Sequence, residues 1–132
     1  VLASGWGGLK TAKLPDSVFM LDQAPHDWLF PRMSAVIHHG GAGTTAAGLR
    51  AGKPSLIVPF IADQPFWGNV IHQAGCGPKP IPQGKLTVDG LAAAIEMMVT
   101  DGDMRRRAET VGQTLRAEDG VGAALEVIRR YV

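Results

Sequence analysis

The stretch Ala35 to Gln64, AVIHHGGAGTTAAGLRAGKPSLIVPFIADQ, decides the fold. An apolar run, Ala35 to Ile37, leads into His38 and His39 and then into a small-residue turn, Gly40 to Gly43. A short helical segment follows, stopped by Gly52 and Pro54, and a second apolar run ends at the polar pair Asp63 and Gln64. This order predicts strand, loop, helix, strand, loop. Glycines in the turn let a ligand approach the backbone closely, and the open amides at the start of the helix favour an anion. Thr44 and Thr45 are expected to cap that helix. The turn reads as a phosphate loop.

Outward from this stretch the alternation continues in both directions. Val1 to Gly5 reads as a strand already in progress, with Trp6, Gly7 and Gly8 at its carboxyl end. Lys10 to Ser17 is a polar connection, and Val18 to Leu21 is a second short strand. Pro25 or Asp27 suits the first turn of a helix through Trp28, Leu29, Phe30 and Met33, which Pro31 makes short or kinked. Trp28 and Phe30 are expected in the core.

On the other side, a helix through Pro65, Phe66, Trp67, Val70 and Ile71 ends at Gly75. Cys76 to Ile81 reads as a proline-marked edge strand, with Cys76 a small buried hydrophobe. Thr87 opens a helix with Leu91, Ile95, Met98 and Val99 inward and both Met97 and Met98 as core filler. Asp101 or Asp103 opens another, with Met104, Ala108, Val111 and Leu115 on one face and Arg105, Arg106 and Arg107 on a solvated one. Asp119 and Gly120 precede a last helix with Val121, Leu125 and Ile128 inward. Strands alternating with helices predict a Rossmann-like, doubly wound parallel α/β sheet. The loops at Gly5, Leu21, His39 and Phe60 then share one sheet edge, where ligands bind in such folds.

At 132 residues and 45% hydrophobic composition, the chain is expected to form a single domain with one core. A net charge of +1 argues against nucleic acid as a partner, because polyanion binding needs many clustered cations. A single cysteine allows no internal disulfide framework. The apolar runs are too short to span a bilayer and no signal peptide opens the chain, so a cytoplasmic location is expected. His26 and His72 stand isolated and are read as structural or exposed.

The motif His38-His39-Gly40-Gly41-Ala42-Gly43-Thr44-Thr45, with Arg50-Ala51-Gly52-Lys53-Pro54, Pro59 and Asp63-Gln64, resembles the donor-binding signature of nucleotide-sugar-dependent glycosyltransferases of the two-domain GT-B architecture. Ala24-Pro25-His26-Asp27-Trp28-Leu29-Phe30-Pro31-Arg32 is similar to the sterol 3-beta-glucosyltransferases, in the branch that also holds the antibiotic glycosyltransferases. The similarity covers about residues 2 to 80.

This resemblance implies the carboxy-terminal, donor-binding half of such an enzyme, with residues 1–132 a fragment that lacks the acceptor domain and the first strand. It implies that His39 donates to the donor pyrophosphate beside backbone amides of Gly41, Ala42, Gly43 and Thr44, and that Asp63 and Gln64 hold sugar hydroxyls. The nucleoside would lie near Trp6, Met20 and Leu21. A tryptophan that stacks on uracil in plant members and a glutamate for the ribose, near Ala47, have no counterpart here, which leaves UDP and TDP both open as the nucleotide.

The implied reaction is inverting transfer from a nucleotide sugar, UDP-glucose or a TDP-sugar, to a hydroxyl of a lipophilic acceptor such as a sterol. No catalytic base is assigned in this chain; the family carries it on the amino-terminal domain. That domain would also supply the acceptor site and any peripheral membrane contact. No cofactor and no metal are expected, since there is no Asp-x-Asp triplet and helix amides can take the phosphate charge. Three other readings compete. One is a non-catalytic donor-binding subunit that needs a partner chain. Another is an NAD-dependent dehydrogenase, since Gly41 to Ala46 formally fits G-x-G-x-x-A, although Asp63 falls beyond the next strand. The last is a nucleotide-sugar epimerase, for which acidic catalytic groups are lacking.

Overall fold

The computed structural model describes residues 1–4 and 14–132. Trp6, together with Gly5, Gly7, Gly8 and Lys10, lies outside the described residues. Along the chain stand β1 (Leu2–Ala3), β2 (Met20–Leu21), α1 (His26–Leu29), β3 (Val36–His38), α2 (Ala42–Arg50), β4 (Ser55–Ile57), α3 (Gln64–Gln73), α4 (Val88–Thr100), α5 (Gly102–Ala117) and α6 (Gly120–Arg129). The order is that of a doubly wound α/β fold, and both strand pairs are parallel.

The four strands do not form one ladder. Among the described residues β1 pairs with β2, and β3 with β4, as two separate sheets. Strands of two and three residues offer few ladder bonds, and exposed Ile37 shows that the outer face of β3 is only partly covered. Of the loops expected along one sheet edge, the one at Gly5 lies outside the described residues, and those at His39 and Phe60 share the carboxyl end of the β3–β4 pair.

β4 is the centre of the molecule. Its three residues are buried, and alternation along the strand sends Leu56 and Ile57 to opposite sides. Leu56 joins Val58, Ala94, Met98 and Met104, whereas Ile57 joins Ile71, Cys76 and Ala108. Helices α4 and α5 thus close one side and α3 and α5 the other.

Local signals set the boundaries. Pro31 ends α1 after four residues and turns the chain into a 3-10 turn, Phe30–Arg32. Thr87 and Asp101 cap α4 and α5 through their side chains. Gly52 and Gly75 take left-handed φ values of 69° and 68° just beyond α2 and α3, where glycine costs least.

Several expectations fail for tertiary reasons. Cys76 to Ile81 is not a strand: only the Cys76 carbonyl, accepting from Ser55 N at 3.0 Å, and Ile81 N, donating to Ile57 O at 3.0 Å, reach β4. Pro78 and Pro80 between them have no N–H to donate. Trp28 is exposed with the Arg32 guanidinium 4.5 Å from its ring centroid, while Phe30 alone enters the core. On α4, Met98 and Ala94 face inward and Met97, Ile95 and Val99 are exposed, because β4 and α5 cover only one stripe of that helix. Val121, Leu125 and Ile128 of α6 remain 74%, 46% and 55% exposed.

Candidate functional site

β3 and β4 end side by side, His38 opposite Ile57, and the loop that follows β3 turns directly into α2. Gly40 makes that turn at φ 94°, where an added Cβ would stand 2.5 Å from Ile57 Cγ2 and 3.1 Å from the Gln64 carbonyl oxygen. Only glycine suits both the angle and the space.

α2 is capped by Gly41 and not by a threonine. The expected capping by Thr44 and Thr45 fails because the helix begins earlier, at Ala42, which places both threonines inside it. Thr45 N makes the first intrahelical bond, to Gly41 O at 2.9 Å. The amides of Ala42, Gly43 and Thr44 precede it and have no side-chain cap among the described residues. Such a terminus carries a partial positive charge of roughly half an elementary unit. An added Cβ on Gly43 would meet nothing within 4 Å among the described residues, which leave this end of the helix open.

The two histidines divide. His39 is exposed, and a Cβ on Gly41 would stand 2.6 Å from its Nε2, so the imidazole lies over the place where the loop lacks a side chain. His38 turns inward: its Nδ1 accepts from Gly40 N at 3.1 Å, and burial above all, with His39 and His26 adding to it, lowers its pKa to about 4. Neutral His38 therefore holds the start of the glycine turn. Its Nε2 and Thr45 Oγ1 are buried without partners among the described residues.

Asp63 and Gln64 sit at the start of α3, at the same carboxyl edge. Asp63 Oδ2 accepts from Trp67 Nε1 at 2.8 Å. Gln64 Oε1 accepts from Phe60 N at 2.8 Å and Ile61 N at 3.1 Å, which fixes the loop around Ala62 at its left-handed φ of 57°. The second Asp63 oxygen and the Gln64 amide NH₂ remain as acceptor and donor for a ligand hydroxyl.

Met20 and Leu21 form β2 in the other sheet, which no strand pairing links to β3 among the described residues. A second feature adjoins the glycine loop instead. A cavity of about 450 Å³ runs along α2, lined by its residues Gly43, Ala46, Ala47 and Arg50 and by Ala51, Asp27, Pro31 and Arg116. It exists because Gly43, Ala47 and Ala51, four residues apart, leave one face of the helix bare. Sequence reasoning missed Asp27 as a lining carboxylate; the i, i+4 run of small residues was the signal that could have pointed to it.

This geometry joins an open helix terminus and an imidazole at the carboxyl edge of a parallel α/β pair, with a cavity running from them along α2. The chain matches the family described as "Erythromycin biosynthesis protein CIII-like, C-terminal domain" over residues 7–127, and it belongs to that family. Among curated relatives, it is 49% identical over its whole length to a sterol 3-beta-glucosyltransferase of Arabidopsis thaliana, of which it spans 21%. It is 40% identical over 89% of its length to O-mycaminosyltylonolide 6-deoxyallosyltransferase of Streptomyces fradiae, of which it spans 28%. Of solved structures, the glycotransferase of kitacinnamycin superposes with a TM-score of 0.82 at 26% identity, over 92% of this chain and 31% of that one. The glycosyltransferase VinC in complex with DTDP superposes with a TM-score of 0.75 at 28% identity, over 89% of this chain and 31% of that one. The fold is thus the Rossmann-like carboxy-terminal half of a GT-B glycosyltransferase.

Proposed function

We propose that residues 1–132 form the donor domain of a glycosyltransferase that moves glucose from UDP-glucose to a hydroxyl of a lipophilic acceptor such as a sterol. The observation that carries this reading is the open amino terminus of α2, with the amides of Ala42, Gly43 and Thr44 free beneath the His39 imidazole. The 49% identity to a plant sterol 3-beta-glucosyltransferase supports the choice of sugar and acceptor.

In this reading the diphosphate sits on the α2 terminus, and His39 donates to it through a ring N–H. As the anomeric carbon–oxygen bond breaks, negative charge grows on the departing nucleoside diphosphate. Preorganised amides stabilise that charge without reorganising, which lowers the barrier. Asp63 and Gln64 orient the sugar through their remaining acceptor and donor. The nucleoside runs into the cavity along α2, where Asp27 accepts from a ribose hydroxyl. The acceptor hydroxyl attacks from the opposite face and passes its proton to a base on another part of the protein.

The chain spans about a fifth of the plant relative, so acceptor binding and turnover are assigned to the remainder of the protein. Calorimetric titration with UDP, TDP, UDP-glucose and NADH tests the reading. Binding of UDP and UDP-glucose, weakened by Asp27→Ala, is the expected result. Binding of NADH alone would replace this reading with a dehydrogenase, and a preference for TDP would replace the glucosyl donor.

A further inference from the structure

The edge opposite the glycine loop holds a second cavity, of about 590 Å³, and no residue lines both. Its wall comes from three places in the chain. Arg32, Met33 and Ser34 precede β3; Gly52, Lys53 and Pro54 precede β4; and Gly102, Arg105, Arg106 and Glu109 belong to α5. Because β3 and β4 are parallel, their entry points lie together at the amino edge, one strand length from the His39 loop.

Four cations face this space against one carboxylate. Glu109 is already engaged by Arg116 at 2.7 Å, and Arg106 by Asp103, which does not line the cavity. Arg32 is held by the Trp28 carbonyl and lies on the Trp28 ring, which fixes the guanidinium without neutralising it. Lys53 and Arg105 have no carboxylate partner among the described residues. Gly52 leaves room for the Glu109 carboxylate, which packs where a Cβ would stand and is held there by Arg116. One held guanidinium beside a lysine and an arginine that lack carboxylate partners among the described residues gives a positive charge that suits a tetrahedral oxyanion with several acceptor oxygens. Cations brought together from separate elements repel one another, and a bound anion relieves that repulsion.

We infer that this cavity is a second anion site, which takes the phosphate group of a phosphomonoester and is separate from the diphosphate site at α2. Such a group reaches it either as a soluble phosphate compound or as the headgroup of an acidic lipid. The inference does not depend on the proposed sugar donor.

The test uses the intact protein with saturating UDP present, so that the α2 terminus is occupied. Inorganic phosphate is titrated by calorimetry, and sedimentation is measured with phosphatidylcholine vesicles with and without phosphatidic acid. Saturable phosphate binding that falls at least fivefold in the Lys53→Gln, Arg105→Gln double variant, and persists in His39→Ala, supports the site. The charge-preserving pair Lys53→Arg, Arg105→Lys should retain binding. Loss of vesicle binding in the double variant identifies the lipid headgroup as the source, and phosphate binding without vesicle binding identifies a soluble one. No saturable binding under UDP, or equal binding in wild type and double variant, overturns the inference. If UDP does not bind, the proposed function fails, and phosphate alone is titrated in the His39→Ala background, where a loss of at least fivefold on adding Lys53→Gln, Arg105→Gln supports the site and no loss overturns it.

Discussion

His38 and His39 are adjacent residues in opposite environments, one facing the core and one exposed at the carboxyl edge of β3. The inward ring accepts a backbone amide, which requires it to be neutral, and its pKa accordingly falls from 6.5 to about 4. The sign follows from proton linkage. Above about pH 6.5 the ring is neutral folded and unfolded, and it has no effect on the pH dependence. Between 6.5 and 4 only the unfolded chain takes the proton, so stability is lost as pH falls through that window, by on the order of 2 to 3 kcal/mol. Urea unfolding of wild type and His38→Gln near pH 7 and near pH 4.5 checks this: the wild type should lose more, and equal losses would remove His38 as the cause. In the proposed site His39 contacts the diphosphate instead. His39→Ala should weaken UDP binding by roughly 1 to 3 kcal/mol, the usual loss when a charged acceptor is deprived of its donor. Calorimetry reads it directly, and unchanged affinity would take His39 out of the site.

At the scale of elements, β4 depends on how closely the chain returns to it after α3. Gly77 lies against the strand, and a Cβ there would collide with the Ser55 carbonyl oxygen and stand 2.7 Å from Ile71 Cγ2. Backbone of a buried strand cannot yield, so Gly77→Ala should cost about 1 to 3 kcal/mol, as other overpacked cores do. Gly84→Ala is the control, since its Cβ would meet nothing within 4 Å. Thermal unfolding of the two variants should show a lowered midpoint for the first alone. The same return brings Cys76 into the core, where burial pushes its thiol pKa up against the opposing effect of Arg107. A thiol so placed behaves as a small hydrophobe.

The whole molecule is organised around one buried strand and is unevenly covered. α6 spans ten residues and buries none of them. A helix of this length is marginal by itself in water, and its apolar stripe contributes stability only when covered. Removal of residues 119 to 132 should therefore change the unfolding free energy of the β4-centred core by less than about 0.5 kcal/mol, the scale of surface changes. A larger drop in urea unfolding would mean that α6 supports the core after all. Among the described residues no helix is long and apolar enough to cross a membrane.

The amino-acid sequence alone determined what depends on neighbours along the chain. The Gly40 turn, the short α1 enforced by Pro31, the caps at Thr87 and Asp101 and the stops at Gly52 and Gly75 all follow from local sterics and local hydrogen bonds. The place of the glycine loop after β3 was legible for the same reason, and with it His39 and Asp63 at one edge. Tertiary structure decided which apolar faces are covered. Ile95 and Ile128 carry the same periodic signal as Ala94 and Met98, yet they stay exposed. It also decided that Gly41 caps α2 in place of a threonine, and that Asp27 meets Ala47 across one cavity and Arg32 meets Arg105 across another. Burial and charge clustering sum over residues far apart in the chain, and no local pattern encodes that sum.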